Sequence, residues 1–201
     1  MPKIVDHQAR RLRIAEALWQ VALRDGIHAV SVRTVATQAQ TSPTALRYFF
    51  TTQDELMEFA MRAVADRVAV RVRARLEKVE NPDGVRRLLE ELIPLDADRR
   101  LEQGVYLAFL VRAQTHPGLR AVAEEVESQL AGLVRQVVGF LRAAGGLGEG
   151  RSIDRAARST YALLDGLAFQ GALWPDRHPP KKLKQILRDH LAELATASVE
   201  S

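Results

Sequence analysis

Residues 31–50 (SVRTVATQAQTSPTALRYFF) leave the chain little choice of local fold: they read as two short helices joined by a tight turn. Ser31 stands where it caps the first, its hydroxyl accepting from the otherwise unpaired N–H groups of the opening turn. Val32, Val35, Ala36 and Ala39 recur at spacings of three and four, which is one apolar face of a helix. Gln40-Thr41 forms the turn. Ser42 is a second cap, and Pro43 takes the first helical position, where no N–H is required. Leu46 and Phe50, four apart, anchor the second helix to a core, while Thr44, Arg47 and Tyr48 occupy its other face. A short helix anchored on one side and polar on the other suits a DNA major groove. The stretch therefore reads as a helix-turn-helix with 42–48 as recognition helix. The same spacing also fits an αα-hairpin inside a helical bundle.

Charge placement supports the first reading. Residues 1–53 hold seven Lys or Arg (Lys3, Arg10, Arg11, Arg13, Arg24, Arg33, Arg47) against Asp6, Glu16 and Asp25, and the rest of the chain is balanced. The whole formal excess of +4 thus lies with the helix-turn-helix, where a phosphate backbone would be attracted. Residues 1–6 read as a loose arm, with Lys3 in reach of DNA. A first helix over about 7–24 buries Ile14, Leu18, Val21 and Ala22, with Trp19 at its border, and stops at Asp25-Gly26. Arg10, Arg11 and Arg13 lie near its first turns, where cations oppose the helix dipole and suggest a phosphate neighbour.

Thr52 and Glu55 open a long helix with a capping box, running to about Val79. Its arginine-rich far end (Arg67, Arg71, Arg73, Arg75) reads as a solvated face. Asn81-Pro82-Asp83-Gly84 closes it. Further helices follow over 84–93, 97–115 (with Leu101, Val105, Phe109 and Leu110 inside), 118–144 and 152–174. Gly145–Gly150 (GGLGEG) is a loop, and a last helix follows Pro179-Pro180. The expected fold is all-α, about nine helices, without strands. At 201 residues and 47% hydrophobic the chain can bury a core; it has no cysteine for disulfides or thiolate metal sites. No run approaches the ~20 apolar residues that span a bilayer, so a cytoplasmic protein without membrane contact is expected.

Catalysis has no constellation. The five histidines are scattered with no pair at i, i+4, and neither His-Glu-x-x-His nor Gly-x-Ser-x-Gly occurs. The loop GGLGEG lacks the Lys-Ser or Lys-Thr of a phosphate cradle. No cofactor, metal or enzymatic role is expected.

Residues 10–56, from helix 1 through Asp25-Gly26, Ser-Val-Arg-x-Val-Ala and the recognition helix to Phe50 and Leu56, resemble the DNA-binding domain of the TetR family of transcriptional regulators. The recognition-helix ending is similar to that of its BetI branch. The resemblance implies a DNA-binding domain over 1–53, with helix 4 (about 53–79) connecting it, and a ligand-binding and dimerisation domain over 54–201. The expected protein is a sequence-specific homodimeric repressor on a palindromic double-stranded operator, released by a small-molecule effector. Arg33 matches a position that contacts bases or phosphates, and an arginine there suits guanine O6 and N7. Ser31, Thr34 and Ser42 suit phosphate oxygens. Pro43, Thr44 and Ala45 would face base edges, followed one turn on by Arg47 and Tyr48. Gln40 and Thr44 stand where relatives often have glycine. Gln53 replaces a common lysine, so one phosphate contact would lack its charge.

By the same resemblance the last two helices form a four-helix bundle with a second subunit, through Tyr161, Leu164, Leu167, Gly171, Leu187 and Leu191. An effector pocket would draw on Tyr106, Phe109, Arg112, Gln114, Asp165 and Gln170, mostly polar residues interrupting apolar runs. The alternative from another class is a helical protein-binding adaptor, which predicts no salt-dependent DNA affinity.

Overall fold

The computed structural model describes residues 2–196, with side chains from His7 onward. The described residues form nine α-helices and two short 3-10 turns, without a strand. The helices are α1 (Pro2–Asp25), α2 (Val32–Gln38), α3 (Pro43–Phe49), α4 (Gln53–Leu76), α5 (Pro82–Leu89), α6 (Ala97–Ala113), α7 (Pro117–Ala143), α8 (Ile153–Leu173) and α9 (Pro180–Ala195). Helix α1 starts five residues earlier than the apolar stripe indicates, so from Pro2 on the expected loose arm is helical, while the Lys3 side chain and Met1 lie outside what is described. Arg10, Arg11 and Arg13 therefore sit beyond the first turn, where the dipole argument lapses. Asn81 does not close α4. It caps α5, its side chain accepting from the Gly84 N–H at 2.9 Å, with Pro82 at the first helical position.

The chain groups into two compact units, Met1–Arg67 with Gly104–Glu124, and Val68–Gln103 with Glu125–Ser201; α4, α6 and α7 contribute residues to both. In the first unit α1, α2, α3 and the start of α4 close over Leu18, Val35, Leu46, Phe50, Leu56 and Met61, all at most 1% exposed. Trp19 belongs to this core rather than its border: it is 2% exposed, and its indole N–H donates to the Ala60 carbonyl at 3.0 Å. A buried indole needs such a partner, and here the partner is forty-one residues away in sequence. On α6, Gly104 passes close to α1, where a Cβ would come 3.1 Å from Leu23 Cδ2. His116 caps α7: Leu119 N–H donates to its Nδ1 at 3.1 Å, which leaves Nε2 to meet Asp54 at the start of α4 at 2.9 Å.

The second unit is built on Val85, Leu88, Leu89, Val134, Val137, Leu141, Leu164, Leu167, Leu183 and Leu187. Beside this core lies a buried ionic cluster. Arg71 donates to both oxygens of Glu102 at 3.0 and 2.6 Å, and Glu91 takes Arg75 at 2.9 Å and Arg99 at 2.8 Å. The Glu102 and Glu91 side chains are 3% and 5% exposed. The far end of α4 is therefore not a plain solvated face. Leu101, expected inside, is 37% exposed.

Between α8 and α9, wholly buried Thr160 places its hydroxyl 2.8 Å from His190 Nε2. Burial, with Arg151 nearby, holds the His190 pKa below its ordinary value against the opposing pull of Glu193. The folded chain thus disfavours an imidazolium that the unfolded chain accepts below about 6.5. Stability is expected to fall as pH falls through that value. Urea midpoints at about pH 7.5 and about pH 5.5 check this, and His190→Gln should flatten the difference.

Candidate nucleic-acid interface

The helix-turn-helix is held by its own caps. Ser31 Oγ accepts from Thr34 N–H at 3.1 Å, and Ser31 N–H donates to Thr34 Oγ1 at 2.9 Å, a reciprocal capping box. The Thr34 hydroxyl also donates to the Ala29 carbonyl at 2.8 Å. Ser42 Oγ accepts from Ala45 N–H at 3.0 Å, with Pro43 at the first helical position. The hydroxyls of Ser31, Thr34 and Ser42, expected at phosphates, are thus engaged in setting the two helix axes.

The turn resolves the Gln40 departure. Gln40 takes φ 51°, the left-handed region that favours glycine. Around it Thr41 N–H donates to the Ala36 carbonyl at 2.9 Å and Gln40 N–H to that of Thr37 at 3.1 Å, a Schellman ending of α2. Gln40 therefore keeps the tight turn, at the steric cost of a Cβ. Gln40→Gly is expected to raise stability by about 1 kcal/mol, read as a higher thermal midpoint.

With Leu46 and Phe50 wholly buried, α3 presents the opposite face. Thr44, Arg47 and Tyr48 are exposed, Tyr48 to 77%, as are Pro43 and, on α2, Arg33; Ala45 is half-buried. Gln53, expected at the DNA backbone, also holds the fold together. Its amide N–H donates to the Val30 carbonyl at 2.6 Å, so the side chain ties α4 to the loop before α2. Arg24 is similarly committed, to Asp25 at 2.8 Å and to Gln38 at 3.0 Å.

The six residues expected at a subunit interface divide. Leu164, Leu167 and Leu187 are at most 3% exposed within the second unit's own core. Gly171 is buried as well, and a Cβ there would come 2.7 Å from both Leu183 and Pro94. These four are covered by the chain itself. Tyr161 and Leu191 pack partly buried against the same core. The apolar surface that α8 leaves open is Phe169 (41% exposed), Leu173 (48%) and Trp174 (46%), the last just beyond the helix, with the rings of Phe169 and Trp174 5.6 Å apart.

Of the pocket candidates, Tyr106, Phe109, Arg112 and Gln114 lie in the first unit and Asp165 and Gln170 in the second. Phe109 is wholly buried, Arg112 and Gln114 are exposed, and Tyr106 and Gln170 are half-buried. Asp165 is exposed as a residue, yet partial desolvation of its carboxyl and the nearby charge of Glu127 raise its pKa. A cavity of about 210 Å³ in the second unit, lined by Val79, Asn81, Val85, Phe140 and Ala143 among others, includes none of the six. No helix among the described residues is long and apolar enough to cross a membrane, and no cluster of three or more His, Cys, Asp or Glu is placed to hold a metal ion.

Comparison with known proteins agrees with this architecture. Residues 82–196 match the model of the BetI-type transcriptional repressor C-terminal domain. The chain is 32% identical over 195 residues to the transcriptional regulator PksA of Bacillus subtilis, covering 96% of this chain and 94% of that one. Among solved structures, a transcriptional regulator from Rhodococcus sp. Rha1 is 30% identical with a TM-score of 0.79, covering 92% and 95% of the two chains. A regulator from Saccharomonospora viridis, solved in complex with choline, shares the fold at a TM-score of 0.80 and 23% identity, covering 90% and 94%.

Proposed function

This chain belongs to the TetR family of transcriptional regulators, which are not enzymes, with a BetI-type C-terminal domain, and from that premise we propose how its own residues carry regulation. Two copies form a homodimer and read a palindromic operator, each inserting α3 into a major groove. Thr44, Arg47 and Tyr48 on α3 meet base edges and the adjoining backbone, Pro43 and Ala45 pack on base edges, and Arg33 reaches from α2. The observation that carries this reading is the exposed polar face of α3, set on a helix whose other side, Leu46 with the cap residue Phe50, is wholly buried. Ser31, Thr34 and Ser42 act by orienting the helices.

The subunit contact is built on Phe169, Leu173 and Trp174 with Leu191 and Tyr161 at its margin. Large apolar side chains left nearly half exposed are what a partner helix covers. A small effector releases the operator by binding better to a conformation whose two heads no longer match successive grooves. Choline, which the Saccharomonospora viridis protein holds, is the first compound to test.

Fluorescence anisotropy on duplexes from the chain's own upstream region tests the reading. Arg47→Ala is expected to cost about 1–3 kcal/mol on the operator and much less on random duplex. Equal binding to both, unchanged by Arg47→Ala, would count against this reading, and no salt-dependent affinity for either duplex would favour a protein-binding role for the hairpin.

A further inference from the structure

Consecutive arginines of α1 meet consecutive phenylalanines at the end of α3, and the two contacts differ in kind. The Arg11 guanidinium lies 4.8 Å from the ring centre of Phe50 and 4.4 Å from that of Phe59, and the two rings are 5.2 Å apart. Phe50 is wholly buried, and Arg11 Nε is itself buried without a hydrogen-bond partner. Arg11 is thus committed to a desolvated stack on aromatic faces.

Arg10, one residue earlier, is exposed, with its guanidinium 5.6 Å from the centre of the Phe49 ring. Half-buried Phe49 also receives the His7 ring at 4.6 Å and Tyr48 edge-on at 5.3 Å. This brings a free-headed cation of α1 to the flank of the recognition helix, beside exposed Tyr48. When a recognition helix lies in a groove, its flanks face the phosphate walls. An arginine with its stem over a ring and its guanidinium in water offers donors suited to phosphate there.

We propose that Arg10 binds an operator phosphate, held in place by the Phe49 ring, and that Arg11 is a structural cation without a phosphate partner. The assignment rests on the DNA-binding reading above and extends the interface to a third helix, α1. Phe49 is then a positioning residue.

The dependence of affinity on salt separates the two arginines, because each phosphate contact contributes about 0.9 to the slope of log K against log salt. Titrations over about 50 to about 200 mM salt would use operator and random duplex in parallel. Arg10→Gln is expected to flatten the slope by about 0.9 on both duplexes and leave the thermal midpoint unchanged. Arg11→Gln should lower the midpoint and keep the slope; if it fails to fold, Arg11→Met, which removes the charge but fills the space between the two rings, makes the comparison. Phe49→Leu should reproduce the flattening, and Phe49→Tyr should restore it. An unchanged slope in Arg10→Gln, or an equal flattening in Arg11→Gln, overturns the assignment while operator preference stands. A wild-type chain with no preference for operator over random duplex overturns the functional reading itself, and this assignment with it.

Discussion

Glu102→Gln is expected to lower the unfolding free energy by about 3–5 kcal/mol, a fall of roughly 6–20 °C in thermal midpoint for a chain of this size. The side chain is 3% exposed and takes both Nη groups of Arg71 at 3.0 and 2.6 Å. Glutamine keeps the volume but removes the charge and one of the two acceptors. Arg71 would keep one neutral acceptor and, as its nearest carboxylate, Glu91, whose Oε2 is 3.6 Å from its Nε and is already shared with Arg99. The loss measures an undercompensated, partly buried cation rather than the net worth of the pair, because desolvating both ions costs much of what their attraction returns. The double replacement Arg71→Met with Glu102→Leu should therefore recover most of the lost stability. Thermal unfolding followed by circular dichroism decides between this and simple additivity of the two single losses, which would mean the groups do not act as a unit.

Trp174→Glu should convert the dimer to monomers, with a loss of about 2–4 kcal/mol of association free energy, on the order of 30- to 1,000-fold. Trp174 is 46% exposed and edge-packed on Phe169, so it offers area to a partner without being needed by its own core. A carboxylate there would be desolvated on association and left unpaired. Leu164→Ala should do the opposite. It opens a cavity in the second unit's core at a cost of about 2–5 kcal/mol in folding while leaving the subunit contact in place. Analytical ultracentrifugation and thermal unfolding on both variants separate the two effects. A monomeric Leu164→Ala with unchanged unfolding would return the interface to the buried stripe.

The two mutations also mark what could be read from the chain before folding. Local signals were legible: Ser31, Ser42, Thr52 and Ser152 all cap helices, Pro43 opens α3, and the helix-turn-helix stands where its spacing puts it. Helical periodicity shows which face of α8 is apolar, but not whether the chain's own core or another subunit covers it. Leu164 and Leu167, expected at the subunit contact, lie in the chain's own core, while Phe169 on the same helix stays 41% exposed. The roles of Arg71 and Trp19 were hidden for a different reason. Their partners, Glu102 and Ala60, lie thirty-one and forty-one residues away, and no local pattern carries such a pairing. At Gln40 the sequence showed an absent glycine without showing that the backbone still turns left-handed there. The capping hydroxyls show the converse limit: a serine at a helix start serves backbone and phosphate with the same atom, and only geometry tells which claim comes first.

Because the compact unit around the helix-turn-helix includes Gly104–Glu124, grafting has a defined minimum. A chimaera joined after residue 53 would carry off Leu23 without the close approach of Gly104, and one joined after α4 would also carry off Asp54 without His116. Recombination that exchanges operator specificity between relatives should therefore succeed only when the end of α6 and the start of α7 travel with the head. Natural shuffling of such heads would be expected to leave paired crossover points along the chain, not one.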